Sequence, residues 1–167
     1  MKRAAWLVLA GMVGLVTMTG GATHGAEPAR FTSAKQAHDE WARNPDAASR
    51  RAAFDWLRAN AQSCPLKALP DALAQFGRAA LAAGSRDAFL EVCATRAAAA
   101  TDPLERQAVA FAQSDWHAAA GEYEAAVATL DTYLKSPAPP VPQRAAAVVR
   151  LVALQAEDGY LGPWSKE

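Results

Sequence analysis

Runs in which apolar and polar residues alternate are absent from this chain, and β-branched residues are sparse before its end, so no segment reads as a strand. No serine stands in a glycine-flanked nucleophile turn, which leaves a hydrolase triad without support although serine, histidine and aspartate all occur. Phosphate-cradling glycine loops and a paired-cysteine haem attachment motif are also missing, so no cofactor is expected. Cysteine is scarce: only Cys64 and Cys93 are present, at a spacing that fits neither a metal-binding nor a redox pair. Net charge is missing too, with 17 basic against 17 acidic residues. The expectation is a protein that is not an enzyme, with no catalytic, cofactor-binding or metal-binding residues to assign.

What the chain has is alanine, roughly a quarter of all residues, which favours helix nearly everywhere. It also has a distinctive beginning. Lys2 and Arg3 precede an uncharged run from Ala4 to Gly21, whose strongly apolar part, Trp6 to Val16, is shorter than the roughly 20 residues needed to cross a bilayer. Residues 1–26 therefore read as a cleavable export signal. Gly20 and Ala22 suit a cut after Ala22. A cut after Ala26 puts His24 at the critical position but leaves a plausible mature end, and both positions stay open. No cysteine lies near the end of the apolar run to carry a lipid, and no later segment suits a membrane span. The expected location is periplasmic or secreted, without stable membrane insertion after signal cleavage.

Losing Lys2 and Arg3 leaves 15 bases against 17 acids, a balance that argues against nucleic acid as a partner. Residues 27–167 are expected to form one domain with a short C-terminal tail, since about 140 residues support a single core. In an oxidising compartment an isolated even pair of cysteines points to a Cys64–Cys93 disulfide, whose loop of about 30 residues would add roughly 3 to 4 kcal/mol. The competing reading is two buried thiols acting as small hydrophobes, because Cys93 lies among Phe89, Leu90 and Val92. Of the histidines beyond the signal, His38 sits in His38-Asp39-Glu40 and His117 in Asp115-Trp116-His117. Adjacent helical residues point in different directions, so neither trio surrounds an ion unaided.

Start and stop signals divide the chain into about seven helices. Ser33 with Gln36 resembles a capping box opening a helix from about Thr32 to Arg43. Asn44-Pro45 ends it and puts Pro45 or Asp46 in the first turn of a second helix, which Ser63-Cys64-Pro65 stops. A third helix extends from Lys67 or Pro70 to Ala83 with Leu66, Leu69, Leu73, Phe76, Ala80 and Leu81 on one stripe. Gly84 terminates it and Ser85 caps the fourth. Asp102-Pro103-Leu104-Glu105 opens the fifth, with the glutamate placed to return a bond to the cap, and Gly121 separates it from the sixth. Pro137, Pro139, Pro140 and Pro142 form a stiff connector to a seventh helix, about Gln143 to Glu157. That helix is apolar around much of its circumference, through Val148, Val149, Leu151, Val152 and Leu154, and is expected to be well packed. Beyond Asp158-Gly159, the residues Tyr160, Leu161 and Trp164 are placed to fold back on the last hairpin. Trp41, Trp56, Trp116 and Trp164 fill the space that alanine leaves between helices, and Trp41 or Trp164 alternatively caps an end or anchors a partner.

The loop signatures at Asn44-Pro45-Asp46, Gly84-Ser85-Arg86, Gly121-Glu122-Tyr123 and Asp158-Gly159-Tyr160 recur about every 37 residues, a length that suits one helical hairpin. The stretch Gly121-Glu122-Tyr123-Glu124-Ala125-Ala126-Val127, with Leu130 and Tyr133, resembles the turn and second helix of a tetratricopeptide repeat. Leu73, Phe76 and Gly77 resemble its first helix, with Gly77 as the small contact residue. Gln113 and His117 depart from the pattern. The resemblance implies an all-α superhelix of stacked antiparallel hairpins over Ser33 to Gly159, whose first helices present a concave face including Asp71, Arg78, Phe111, Asp115 and Gln155. It further implies that this face holds a protein or peptide partner in the cell envelope. The alternative is a compact carrier of a small apolar ligand or metal, which a pocket lined by Trp56, Phe76, Phe89 and Phe111 would favour.

Overall fold

A computed structural model of the protein describes residues 31–135 and 139–157. The expected export signal, Pro137 and the tail from Asp158 lie outside the described residues. Those described form an all-α fold without strands: α1 (Ala34–Arg43), α2 (Ala47–Ser63), a single 3-10 turn (Leu66–Ala68), α3 (Leu69–Ala82), α4 (Arg86–Ala99), α5 (Pro103–Ala119), α6 (Tyr123–Lys135) and α7 (Val141–Glu157).

Local chemistry sets most helix ends. The Ser33 hydroxyl accepts from the Gln36 N–H at 3.2 Å, while Gln36 Oε1 accepts from the Thr32 N–H at 2.9 Å, one residue earlier than a capping box requires. Asp46 opens α2 by accepting from the Ser49 N–H at 2.7 Å, and Pro45 lies between α1 and α2 rather than in a first turn. Asp102 opens α5 by accepting from the Leu104 N–H at 2.7 Å. Glu105 does not return to that cap; it crosses to Arg96 on α4 at 2.6 Å.

Two turns share one geometry. Gly84 (φ 65°) and Gly121 (φ 76°) both occupy the left-handed region that glycine enters without a Cβ clash. After each, the next amide reaches back to close the helix: Ser85 N–H to the Ala80 carbonyl and Glu122 N–H to the His117 carbonyl, both at 2.8 Å. The Ser85 hydroxyl makes no cap bond to α4, because the closing turn holds its backbone outside extended geometry.

Successive helices pack as neighbours, and the odd-numbered ones also pack in series, α1 on α3, α3 on α5 and α5 on α7. The main core joins α1 to α5 around Leu57, Leu73, Phe76, Phe89 and Val92, all essentially sealed from solvent. Each such side chain contributes about 1.5–3 kcal/mol by burial. Two smaller clusters attach α6 and α7, one around Ala110, Tyr133 and Ala147, the other around Ala126, Leu130 and Leu154.

The expected disulfide is not formed. Cys64 and Cys93 are both free and buried. Cys64 caps the end of α2, and the α4 residue that meets this end is Arg96, which donates to the Gln62 carbonyl at 3.0 Å. Cys93 lies nearly a turn earlier on α4, sealed in the core, where burial pushes its thiol up to about 12. The pair count and compartment argument ignored this offset, and the thiols act as small hydrophobes. The seventh helix also departs from expectation: only Ala147 and Leu154 on its inner side are buried, while Val148, Val149 and Val152 face outward.

Candidate functional site

The serial packing of α3, α5 and α7 leaves a groove of about 700 Å³ along their shared face. Its lining extends from Leu66 to Leu81 on one wall and from Leu104 to Ala119 on the other, about 22 Å at helical rise. Leu81, Phe111 and Trp116 supply an apolar floor, with the sealed Leu73 and Phe89 packed beneath it.

Close helix contact makes this floor possible. Gly77 has no side chain, and a Cβ there would stand 3.0 Å from Phe89 Cε2 and 3.2 Å from Trp116 Cδ1. Phe89 and Trp116 stack at 5.4 Å between centroids with an interplanar angle of 23°. The Trp116 indole N–H donates to the Gly77 carbonyl at 3.0 Å, fixing α5 against α3.

Four charged side chains, Lys67, Arg78, Asp115 and Arg150, line the groove. Asp115 pairs with Arg150 of α7, whose guanidinium also lies 4.9 Å from the Phe111 ring centroid. Desolvation by burial lowers the pKa of Arg150, and its Nε is buried without a partner. Lys67 and Arg78 are exposed and have no carboxylate within ion-pair distance among the described residues.

Of the face implied by the repeat resemblance, Arg78, Phe111 and Asp115 line this groove. Asp71 lies outside it and accepts from Gln75 Nε2 at 3.1 Å. Gln155 borders a separate depression of about 230 Å³ between α6 and α7 with Tyr123, Val127 and Leu154. Sequence reasoning passed over Trp116, treated as filler, and Arg150. Neither carries a local signal for the groove, because its role depends on which helices meet.

The four aromatics named for a carrier pocket are not gathered in one place. Phe89 and Phe111 line the groove, Phe76 is sealed in the core, and Trp56 packs edge-on against Phe31 at 5.5 Å. Among the described residues no group of three or more His, Cys, Asp or Glu is arranged to hold a metal. The trio at 115–117 diverges as adjacent helical residues must: Asp115 to Arg150, Trp116 to Gly77, and His117 Nδ1 to Glu122 Oε2 at 2.7 Å. His38 has its pKa lowered by burial, with Arg78 adding to the effect.

No helix among the described residues is long and apolar enough to cross a membrane. Among the described residues, seven helices form an all-α fold with a long apolar cleft. No family model matches the chain, and no match to it was found among curated proteins or solved structures.

Proposed function

We propose that this is an exported, non-enzymatic helical-repeat protein that binds an extended segment of a protein or peptide partner in the cell envelope, along the groove of α3, α5 and α7. The hairpins are read as a short tetratricopeptide-like stack. The matched turns at Gly84 and Gly121 and the serial packing of the odd-numbered helices support this. The observation that carries the binding reading is the groove's length. About 22 Å accommodates six or seven residues of extended chain at about 3.3 Å each. Export rests on the composition of residues 1–26.

Heptapeptides selected from a display library against the purified protein test the reading. Selected sequences are expected to lose at least about tenfold in affinity when Leu104, half-exposed on the groove wall, becomes Asp, and to be unaffected by Arg51→Glu on a solvated part of α2. The groove volume also falls within the roughly 300–1,000 Å³ of small-molecule sites, which favours the carrier as a second reading. Native mass spectrometry separates the two: a co-purifying small molecule, with no peptide selected, overturns the peptide reading. Cell fractionation that finds the protein in the cytosol with residues 1–26 attached overturns export.

A further inference from the structure

Charge is spread unevenly along the groove. On the α3 wall the middle is uncharged, through Pro70, Ala74 and Gly77, and the two exposed cations stand apart: Lys67 where the wall begins, Arg78 three residues short of Leu81, where it ends. Neither has a carboxylate within ion-pair distance among the described residues. The contact of Trp116 with Gly77 brings the neighbouring Asp115 level with Arg78, but Asp115 is already paired with Arg150. The lining thus holds three cations, Lys67, Arg78 and Arg150, against one anion, in a chain with 17 residues of each sign. The surplus is local. An occupant that covers the apolar middle strips water from Lys67 and Arg78, and leaving them unpaired costs free energy that carboxylates at those two places recover.

On the reading that the groove holds an extended peptide, we propose that the bound segment is apolar in its middle and acidic at both ends, with side-chain carboxylates meeting Lys67 and Arg78. The spacing of the two cations sets its pattern. At helical rise they lie about 17 Å apart along α3. An extended chain covers that distance in about five residues, so the two acids bracket about four apolar ones, within the length the groove accommodates. A single-headed anion such as a fatty acid answers only one of the two cations. A segment with basic ends meets repulsion at both.

Heptapeptides selected from the display library, resynthesised with both ends blocked so that only side chains carry charge, test this by fluorescence polarisation. Selected sequences are expected to carry Asp or Glu toward both ends. Replacing both acids by their amides is expected to weaken binding about three- to tenfold at low salt, as for two exposed ion pairs, and by less at about 0.5 M salt. The double variant Lys67→Glu with Arg78→Glu changes two exposed side chains, so its helical content is expected to stay the same while the selected ends shift from acidic to basic. Apolar sequences selected without acidic ends, and held equally by the unaltered protein and the double variant, would overturn the acidic pattern and leave the peptide groove standing. Failure to select any peptide would overturn both. Palmitate that binds more tightly than every acid-ended peptide, and is weakened by changing only one of the two cations, would overturn the pattern in favour of a single-headed ligand.

Discussion

The indole N–H of Trp116 meets the carbonyl of Gly77 at 3.0 Å across the contact between α5 and α3, at the one point on α3 where a Cβ would press on two stacked rings. Gly77→Ala tests how tightly this junction is packed. Alanine gains about 0.5–1 kcal/mol in helix propensity, but its methyl must displace Phe89 and Trp116, which hold each other in place. A net loss of about 1–2 kcal/mol is expected from denaturant midpoints. A gain in stability would mean that the rings yield freely and that the groove floor is not rigid.

Trp116→Phe keeps an aromatic surface in the floor and removes the donor. The expected loss is about 0.5–1.5 kcal/mol for the hydrogen bond, plus a smaller packing loss from the lesser volume. Peptides selected against the groove are expected to weaken as well, because the new space opens beside Phe89. Stability and affinity measured on the same variant check both parts.

Helix ends were legible because capping is a local affair. Ser33, Asp46, Asp102, Gly84 and Gly121 act within a few residues of themselves, and the sequence carries the whole cause. Ser85 misled for the same reason in reverse: the preceding glycine turn commits its amide and removes the extended geometry a cap needs. The groove was legible only in part. Arg78, Phe111 and Asp115 were implied by the repeat resemblance, whose first-helix face falls on α3 and α5, whereas Arg150 enters through the packing of α7 on α5, which no local pattern encodes. The cysteines belong with the long-range features, since their relation depends on where α2 stops against α4.

The free thiols have a chemical consequence. Thiolate is the reactive form, and burial pushes the Cys93 thiol up to about 12 and raises that of Cys64 as well. Alkylation near neutral pH is expected to be slow in the folded protein and to modify both residues, without prior reduction, once denaturant is added. Mass spectrometry of intact protein checks it. Resistance to alkylation in denaturant until a reductant is added would restore the bridge.

Glu122 joins the turn after α5 to its surroundings. Its carboxyl is held below the usual carboxylate range, first by the hydrogen bond with His117 and then by Arg86. Because its folded pKa lies below the unfolded value of about 4.5, the contribution to stability is present above that value and is lost as pH falls through the lower folded one. Glu122→Gln is expected to flatten the acid limb of the stability profile. Asp39 and Asp46, with carboxyls also lowered, act in the same direction, so the comparison is the difference between the two profiles. Parallel profiles through the acid range would mean that the His117 and Arg86 contacts do not hold the turn in solution.

The two glycine turns offer a test of whether the hairpins are equivalent units. A Cβ added at Gly84 or Gly121 meets nothing within 4 Å, so the cost of alanine comes from the left-handed backbone alone, about 1–2 kcal/mol before any offset. Reduced freedom in the unfolded chain returns about 0.4–1 kcal/mol, leaving a net loss near 1 kcal/mol at each site. Since φ and the closing hydrogen bonds match at both positions, Gly84→Ala and Gly121→Ala are expected to cost nearly the same and to add within about 0.5 kcal/mol when combined. Gly84→Asn, which tolerates this conformation better, is expected to recover part of the loss. Equilibrium denaturation of the four variants measures all of this. Costs that differ by more than about 1 kcal/mol would show that context, not a shared turn, sets the two bends, and the repeat reading would lose its strongest local support.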